Sequence, residues 1–321
     1  MNAMDLQFLA AFLKERSGLI VTADKEYLID SRLQPVARKF ELKSIEEIIS
    51  VLRGGRDARL AAAVTEAMTT NESFFFRDKV PFELFQDVML PTMLDARRAR
   101  KHLRIWCAAA STGQEPYSLS IILKEMAAKL GGWRTDIIGT DISSAVIEKA
   151  KSGIYSQFEV QRGLPVQLML KYFEQKGDVW QILPEIRSMV QYRLFNLLED
   201  YASLGTFDIV FCRNVLIYFD QPTKKAILER IARTMAPDGY LVLGAAETVV
   251  GICDAFQTVP EQRGLYRLRG SDESSGIVRP FAPLRAQGSA PAVTGASATA
   301  VVGGLRAATD RLAAIPSIPG R

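Results

Sequence analysis

The chain has 321 residues, 48% of them hydrophobic, and carries 40 Lys and Arg against 36 Asp and Glu, for a net charge of +4. That is enough apolar side chain for a core the size of two ordinary domains, which excludes a disordered chain, and too little net charge to argue for nucleic acid. Cys107, Cys212 and Cys253 lack paired spacing and His102 is the single histidine, so neither a disulfide framework, a zinc site nor a histidine-based catalytic triad is indicated.

Residues 4 to about 90 are predicted to be helical, in short amphipathic segments. Leu6, Leu9, Ala10 and Leu13 form a first apolar stripe that stops near Gly18. A second, about Lys25 to Phe40, buries Leu28, Ile29, Leu33, Val36 and Phe40 and shows Arg32, Arg38 and Lys39 on its surface; Pro35 is expected to kink it or loosen one turn. Ser44 with Glu47 forms a capping-box start for a third helix, ended by Gly54 and Gly55, and a fourth runs from about Asp57 to Met68. The run from Met68 to Arg77 then passes from polar residues into three consecutive aromatics and a cation. Those aromatics cannot all face one core. They suit a buried joint with Arg77 on its rim, or a cleft into which Asn71, Ser73 and Arg77 face.

From Leu103 the pattern alternates strand and helix, which predicts a parallel sheet with helices on both faces. Leu103 to Cys107 enters an elbow of tiny residues, Ala108 to Ser111 and Gly113; Glu115 and Pro116 sit in a first helical turn, and apolar positions from Leu119 to Leu130 mark one buried helix face. Such an elbow lets backbone N–H groups approach a ligand at a helix N-terminus. It lacks the three glycines of a pyrophosphate fingerprint. His102, at the mouth of the strand, is expected to be exposed. Asp136 to Thr140 forms a second strand ending at Asp141, a helix cap or, by its spacing after the elbow, an acid for ribose hydroxyls.

Residues 154 to 190 break the alternation and read as an insertion over the sheet, with strand-like runs such as Val179 to Leu183. Val190 to Phe195 resumes a strand ending at Asn196, and Phe207 to Cys212 is another. A helix from Gln221 to Met235 is expected to close at Pro237-Asp238-Gly239 before a strand from Tyr240 to Leu243; Phe256 to Val259 and Leu265 to Leu268 are expected to pair as a hairpin. Beyond Gly270 the Ala-, Gly-, Ser- and Pro-rich composition predicts a disordered tail with one weak helix at Leu305 to Ile315. No apolar run reaches the roughly 18 residues of a membrane span and no signal-peptide pattern opens the chain, so a cytoplasmic protein is expected.

The runs Thr-Thr-Asn-Glu-Ser-Phe-Phe-Phe-Arg at 69–77, Ala-Ala-Ser-Thr-Gly-Gln-Glu-Pro-Tyr at 109–117, Thr-Asp-Ile at 140–142, Ser-Gly-Ile-Tyr at 152–155 and Phe-Cys-Arg-Asn-Val-Leu-Ile-Tyr-Phe at 211–219 resemble, in consistent order over about 5–270, the chemotaxis receptor methyltransferases of CheR type. The resemblance implies an α/β fold: a Rossmann-like S-adenosylmethionine-dependent methyltransferase sheet with a small β-subdomain insertion, preceded by an all-helical domain. Its expected divisions are 1–90 for the helical domain and linker, 91–270 for the S-adenosylmethionine-binding domain with the insertion at about 154–190, and 271–321 for the tail.

The implied activity is methyl transfer from S-adenosylmethionine to glutamate side chains on the cytoplasmic helical region of chemoreceptors, without a metal. The implied cofactor contacts are Asn71, Ser73, Arg77, Glu115, Asp141, Asn196, Leu197, Arg213 and Asn214, with Arg77 and Tyr218 touching the reacting groups. A glutamate substrate, with a pKa near ~4.3, arrives ionised at neutral pH and needs no general base. Arg32, Arg38 and Lys39 are expected to steer the acidic receptor helices, although a charged helix face also serves simply as a solvated surface. In some family members the β-subdomain binds a receptor C-terminal peptide; the Gly-containing turn associated with that mode is not evident between Val179 and Tyr192, which leaves such a tether open and weighs against it. A monomer that neither binds nucleic acid nor inserts in membrane is expected. Two other readings stand beside this one: a methyltransferase for a different signalling protein, and a non-catalytic S-adenosylmethionine-binding regulator. The set Arg77, Glu115, Asp141 and Tyr218 argues against the regulator.

Overall fold

A computed structural model describes residues 1–22 and 26–270; the expectations for Lys25, for the tail and for a helix at Leu305 to Ile315 lie outside the described residues. Four helices come first: α1 (Ala3–Ser17), α2 (Glu26–Lys39), α3 (Ile45–Arg53) and α4 (Ala58–Met68). Leu9, Leu13, Ile29, Leu33, Ile48, Ile49, Leu60 and Val64 interdigitate as one buried cluster, as the apolar spacing predicts. Gly18 caps α1 in the left-handed conformation, and Asn2, Ser44 and Asp57 cap the starts of α1, α3 and α4. The reciprocal capping box is incomplete, because the Glu47 carboxylate accepts from the Lys43 N–H rather than from Ser44. Helix α2 continues through the exposed Pro35.

Short helices α5 (Val80–Leu84) and α6 (Leu90–Ala96), joined by a π-turn at Phe85–Met89, lead to β1 (His102–Ala108), α7 (Gln114–Glu125), β2 (Arg134–Asp141) and α8 (Ser144–Ser152). The insertion follows: β3 (Ile154–Ser156), α9 (Gln157–Gln161), α10 (Val166–Tyr172), β4 (Phe173–Lys176), β5 (Val179–Ile182) and α11 (Pro184–Arg187). Its three strands form their own antiparallel sheet in the order β3-β5-β4. A glycine turn does lie there, at Gly177 between β4 and β5, two residues before the window in which the sequence shows none. The chain then returns through β6 (Val190–Leu194), β7 (Phe207–Cys212), α12 (Gln221–Thr234), β8 (Met235–Leu243), β9 (Phe256–Thr258) and β10 (Leu265–Leu268).

The main sheet has the order β6-β2-β1-β7-β8-β10-β9; its first five strands are parallel, and the predicted hairpin adds the last two antiparallel. Along β1, Leu103, Ile105 and Cys107 enter one buried cluster while Trp106 and Ala108 enter the other, so both faces are covered, as a parallel sheet requires. Chain order reverses between β1 and β7. In open α/β sheets, ligands bind at the carboxyl ends of the strands beside such a switch point.

Four expectations need correction. Helix α7 ends at Glu125, and three-residue turns carry Met126 to Leu130 back against the core. It is also buried on every side rather than on one face: Tyr117 to Leu123 are all covered, and Ser118 and Ser120 satisfy their hydroxyls on the carbonyls of Gln114 and Pro116. Pro237-Asp238-Gly239 does not close a helix but lies inside β8, at a shift of register against β7. There Arg97 grips the Asp238 carboxylate with both terminal nitrogens, and a Cβ on Gly239 would lie 2.8 Å from the Asp208 carbonyl oxygen. The bulge is what admits a proline and a glycine into a strand. His102 is half-buried and contacts Asp136 at 2.8 Å. All three cysteines are free and buried.

Candidate active site

A cavity enclosing about 970 Å³, including its open mouth, lies over the carboxyl ends of β1, β2, β6 and β7. Its wall contains all ten residues singled out in the sequence: Asn71, Ser73, Arg77, Glu115, Asp141, Asn196, Leu197, Arg213, Asn214 and Tyr218. They come from five separate stretches of chain. The backbone itself is unusual here, since Ala109 and Ser111, though not glycine, hold φ of 57° and 51° in the turn after β1. Conformations of that kind persist only where their surroundings fix them. Ser111 N–H donates to Asp141 at 2.9 Å, the Ser111 hydroxyl to the Asn71 carbonyl at 2.8 Å, Ala110 N–H to the Thr140 carbonyl, and the Tyr155 hydroxyl to the Thr112 carbonyl at 2.7 Å.

Asp141 is nearly covered and accepts from Ser143 N–H as well as from Ser111, so it anchors the elbow and the start of α8 while facing the cavity. Burial raises its carboxyl above the ordinary range, against the pull of the backbone N–H groups of Ser143, Ser111 and Ile142. Apolar Ile142, Phe195 and Leu197 line the wall beside it.

On the other side, Arg213 donates to Glu115 at 2.7 Å, to Asp78 at 2.8 Å and to the Arg77 carbonyl at 2.8 Å. Its side chain is almost wholly covered, so its charge is committed to joining the end of β7, the first turn of α7 and the linker. Glu115 is pushed up by burial and pulled back by Arg213. Arg77 uses one terminal nitrogen on the Glu72 carbonyl and lies 5.5 Å from the Phe74 ring, leaving other donors for what enters the cavity. The half-buried Tyr218 has a hydroxyl with no hydrogen bond among the described residues, while its carbonyl accepts from Ile20 N–H at 3.0 Å.

The three aromatics divide their work. Phe75 is fully buried, edge-on to Tyr155 and Phe173; Phe76 packs on Phe82; Phe74 is approached by the guanidinium groups of both Arg77 and Arg162. Asn71, Ser73 and Arg77 face the cavity, so the joint and the cleft are the same segment.

Asn196 also has partners within the fold: its amide donates to the Arg16 carbonyl at 2.6 Å and accepts from Leu198 N–H, tying the end of β6 to the end of α1. Arg32 likewise is not a free surface cation, because its guanidinium donates to the carbonyls of Met68 and Thr69 and to the Thr70 hydroxyl. Arg38 and Lys39 are exposed. Ser17 and Leu19, just past the end of α1, also line the cavity and carry no sequence signal for doing so.

A family model described as CheR methyltransferase, all-alpha domain, matches residues 4–69, and one described as CheR methyltransferase, SAM binding domain, matches residues 71–265. A chemotaxis protein methyltransferase 1 of Pseudomonas aeruginosa is 41% identical over 270 residues, covering 83% of this chain and 98% of its own. A chemotaxis protein methyltransferase of Pseudomonas putida, Cher2, is 40% identical over 82% of this chain and 96% of its own, and a chemotaxis protein methyltransferase of Salmonella typhimurium is 33% identical over 75% and 83%.

Proposed function

The chain belongs to the CheR methyltransferase family, and from that premise we propose that it esterifies glutamate side chains on the cytoplasmic helical region of chemotaxis receptors during sensory adaptation, working in the cytoplasm. The observation that supports this most is the convergence of Arg77 and Tyr218, each with donors not used by the fold, on a cavity floored by Asp141 and Glu115.

S-adenosylmethionine, when bound, supplies a methyl carbon made electrophilic by its sulfonium. The cavity suits that group: polar and apolar residues mix in its wall, the small residues at 109–111 leave room beside the backbone, and no phosphate-binding glycine run is present. With the cofactor bound, Asp141 would accept from ribose hydroxyls, Ile142, Phe195 and Leu197 would cover adenine, and Asn71, Ser73, Glu115 and Asn214 would meet the amino-acid end. Arg213 contributes by holding Glu115 in place and favouring its charged form against the opposing effect of burial, and because its own charge is already matched it does not compete for the incoming carboxylate. Arg77 orients that carboxylate. Tyr218 helps position it and exclude water, which matters because opposite charges neutralise each other as the bond forms and a drier site favours that change.

Incubating the chain with S-adenosylmethionine labelled in the methyl group and with receptor-containing membranes should yield base-labile methyl ester on the receptor. Cofactor binding without ester on any receptor would favour a regulator instead.

A further inference from the structure

We propose that Glu247 is a positioning residue for this reaction, its carboxylate holding the Arg213–Tyr218 segment in the conformation that presents Asn214 and Tyr218 to the cavity. The proposal rests on the functional reading above, but its first test does not.

Glu247 is not in the cavity wall. It lies four residues past the end of β8, is about nine-tenths buried, and accepts four backbone N–H bonds. One oxygen takes Asn214 N–H at 2.8 Å and Gly244 N–H at 2.7 Å; the other takes Val215 N–H at 2.9 Å and Leu216 N–H at 2.7 Å. Three successive N–H groups pointing to one spot form a site that elsewhere binds anions. Here the anion is part of the chain. The segment needs such a partner because its three successive N–H groups turn inward together around Asn214, which holds φ 58° in the left-handed region, open to few residues other than glycine and asparagine. Without a carboxylate at that point, the three donors would be left unsatisfied and Asn214 would lose the contact that fixes its backbone. Gly244 keeps the approach open: a Cβ there would lie 2.7 Å from the Glu247 carboxylate and 3.0 Å from Asn214 N.

Hydrogen exchange on the ligand-free chain tests the hold directly. In Glu247→Gln, whose amide oxygen can replace only one of the two carboxylate oxygens, exchange at Asn214, Val215 and Leu216 should rise about 100-fold, as expected for two lost charge-assisted bonds, while Val210 and Phe211 in β7 stay protected. Gly244→Ala, which displaces the carboxylate without removing it, should move the same amides. Turnover is then measured per bound S-adenosylhomocysteine, so that unfolded chain does not count. Glu247→Gln should lose about 100-fold in kcat, and Tyr218→Ala/Glu247→Gln should be no slower than Tyr218→Ala alone, within about threefold. Unchanged exchange at Asn214 to Leu216 overturns the proposal whatever the chain methylates. So does a double variant in which the two losses multiply, or a normal kcat per binding site accompanied only by a lowered Tm. A wild-type chain that binds the cofactor and esterifies no receptor overturns the functional reading alone.

Discussion

Gly113→Ala tests why the elbow ends in glycine. Gly113 caps the start of α7 at φ 94°, and a Cβ added there would lie 2.6 Å from the Tyr192 hydroxyl oxygen and 3.0 Å from the Ala150 Cβ. A left-handed backbone costs alanine about 1–2 kcal/mol, and forcing a methyl into a packed wall costs about 1–3 kcal/mol more, so a loss of about 2–5 kcal/mol is expected. Tyr192 cannot easily retreat, because its ring also fills the space over Gly139, where a Cβ would come within 2.8 Å. Tyr192→Phe removes the colliding oxygen at the expense of a hydrogen bond to the Gly113 carbonyl that is already long at 3.4 Å. The phenylalanine variant alone should therefore cost less than about 1 kcal/mol, and the double variant should regain about 1–2 kcal/mol over Gly113→Ala. Urea unfolding followed by far-ultraviolet circular dichroism gives each value, with an unchanged m supporting comparison of midpoints. A Gly113→Ala chain within about 0.5 kcal/mol of wild type, or a double variant no more stable than the single, would refute the reasoning.

Arg77→Ala should lower methyl transfer by orders of magnitude with the circular dichroism spectrum intact; near wild-type turnover would remove its assigned role. Tyr218→Phe keeps the ring and deletes a hydroxyl that the fold does not use, so kcat should fall and Tm should hold, and an equal rate would show the hydroxyl to be dispensable. Reversing both Arg38 and Lys39 to Glu should slow methylation of receptor most strongly at low salt, and identical rates at low and high salt in variant and wild type would exclude steering by this helix. Asp220, which accepts from Lys14 and from Thr223, has its carboxyl held down at about 2. A depressed acid contributes stability fully above its ordinary value and loses it as pH falls, so the margin of wild type over Asp220→Asn should shrink between about pH 4 and pH 2. Urea midpoints measured across that interval check it, a constant margin being the contrary outcome.

The sheet was readable because its strands are buried on both faces and carry little but apolar residues, and because helices separate them at regular intervals. Where a local signal competed with tertiary contacts, the contacts prevailed. Pro237-Asp238-Gly239 is a strong turn signal, yet Arg97, 141 residues before Asp238, holds it in a strand. The serines of α7 look like the polar face of a half-buried helix, but their hydroxyls return to the carbonyls of the preceding turn, so the helix can be covered on all sides. At the site, acids and cations that end strands were visible as such; what each one touches was not. Arg32, Asn196 and Arg213 all look available for a ligand in one dimension, and all three have partners far away in the chain.

Those partners show why the helical residues before the linker cannot be treated as a separate accessory. Ser17 and Leu19 line the cavity, Ile20 N–H donates to the Tyr218 carbonyl, Lys14 pairs with Asp220 at 2.7 Å, and the Arg16 carbonyl receives the Asn196 amide. Glu66 of α4 accepts from both N–H and hydroxyl of Ser144 at the start of α8, and Arg32 of α2 pins the carbonyls of Met68 and Thr69 just upstream of Asn71. The Arg213–Tyr218 segment is thus gripped at its beginning by Glu247 and at its end by α1 and the residues just after it. A segment with so little regular structure of its own can keep Tyr218 in one place only if both ends are fixed. The first grip comes from a carboxylate on the sheet and the second from the helical residues, so the position of Tyr218 depends on the two being folded together.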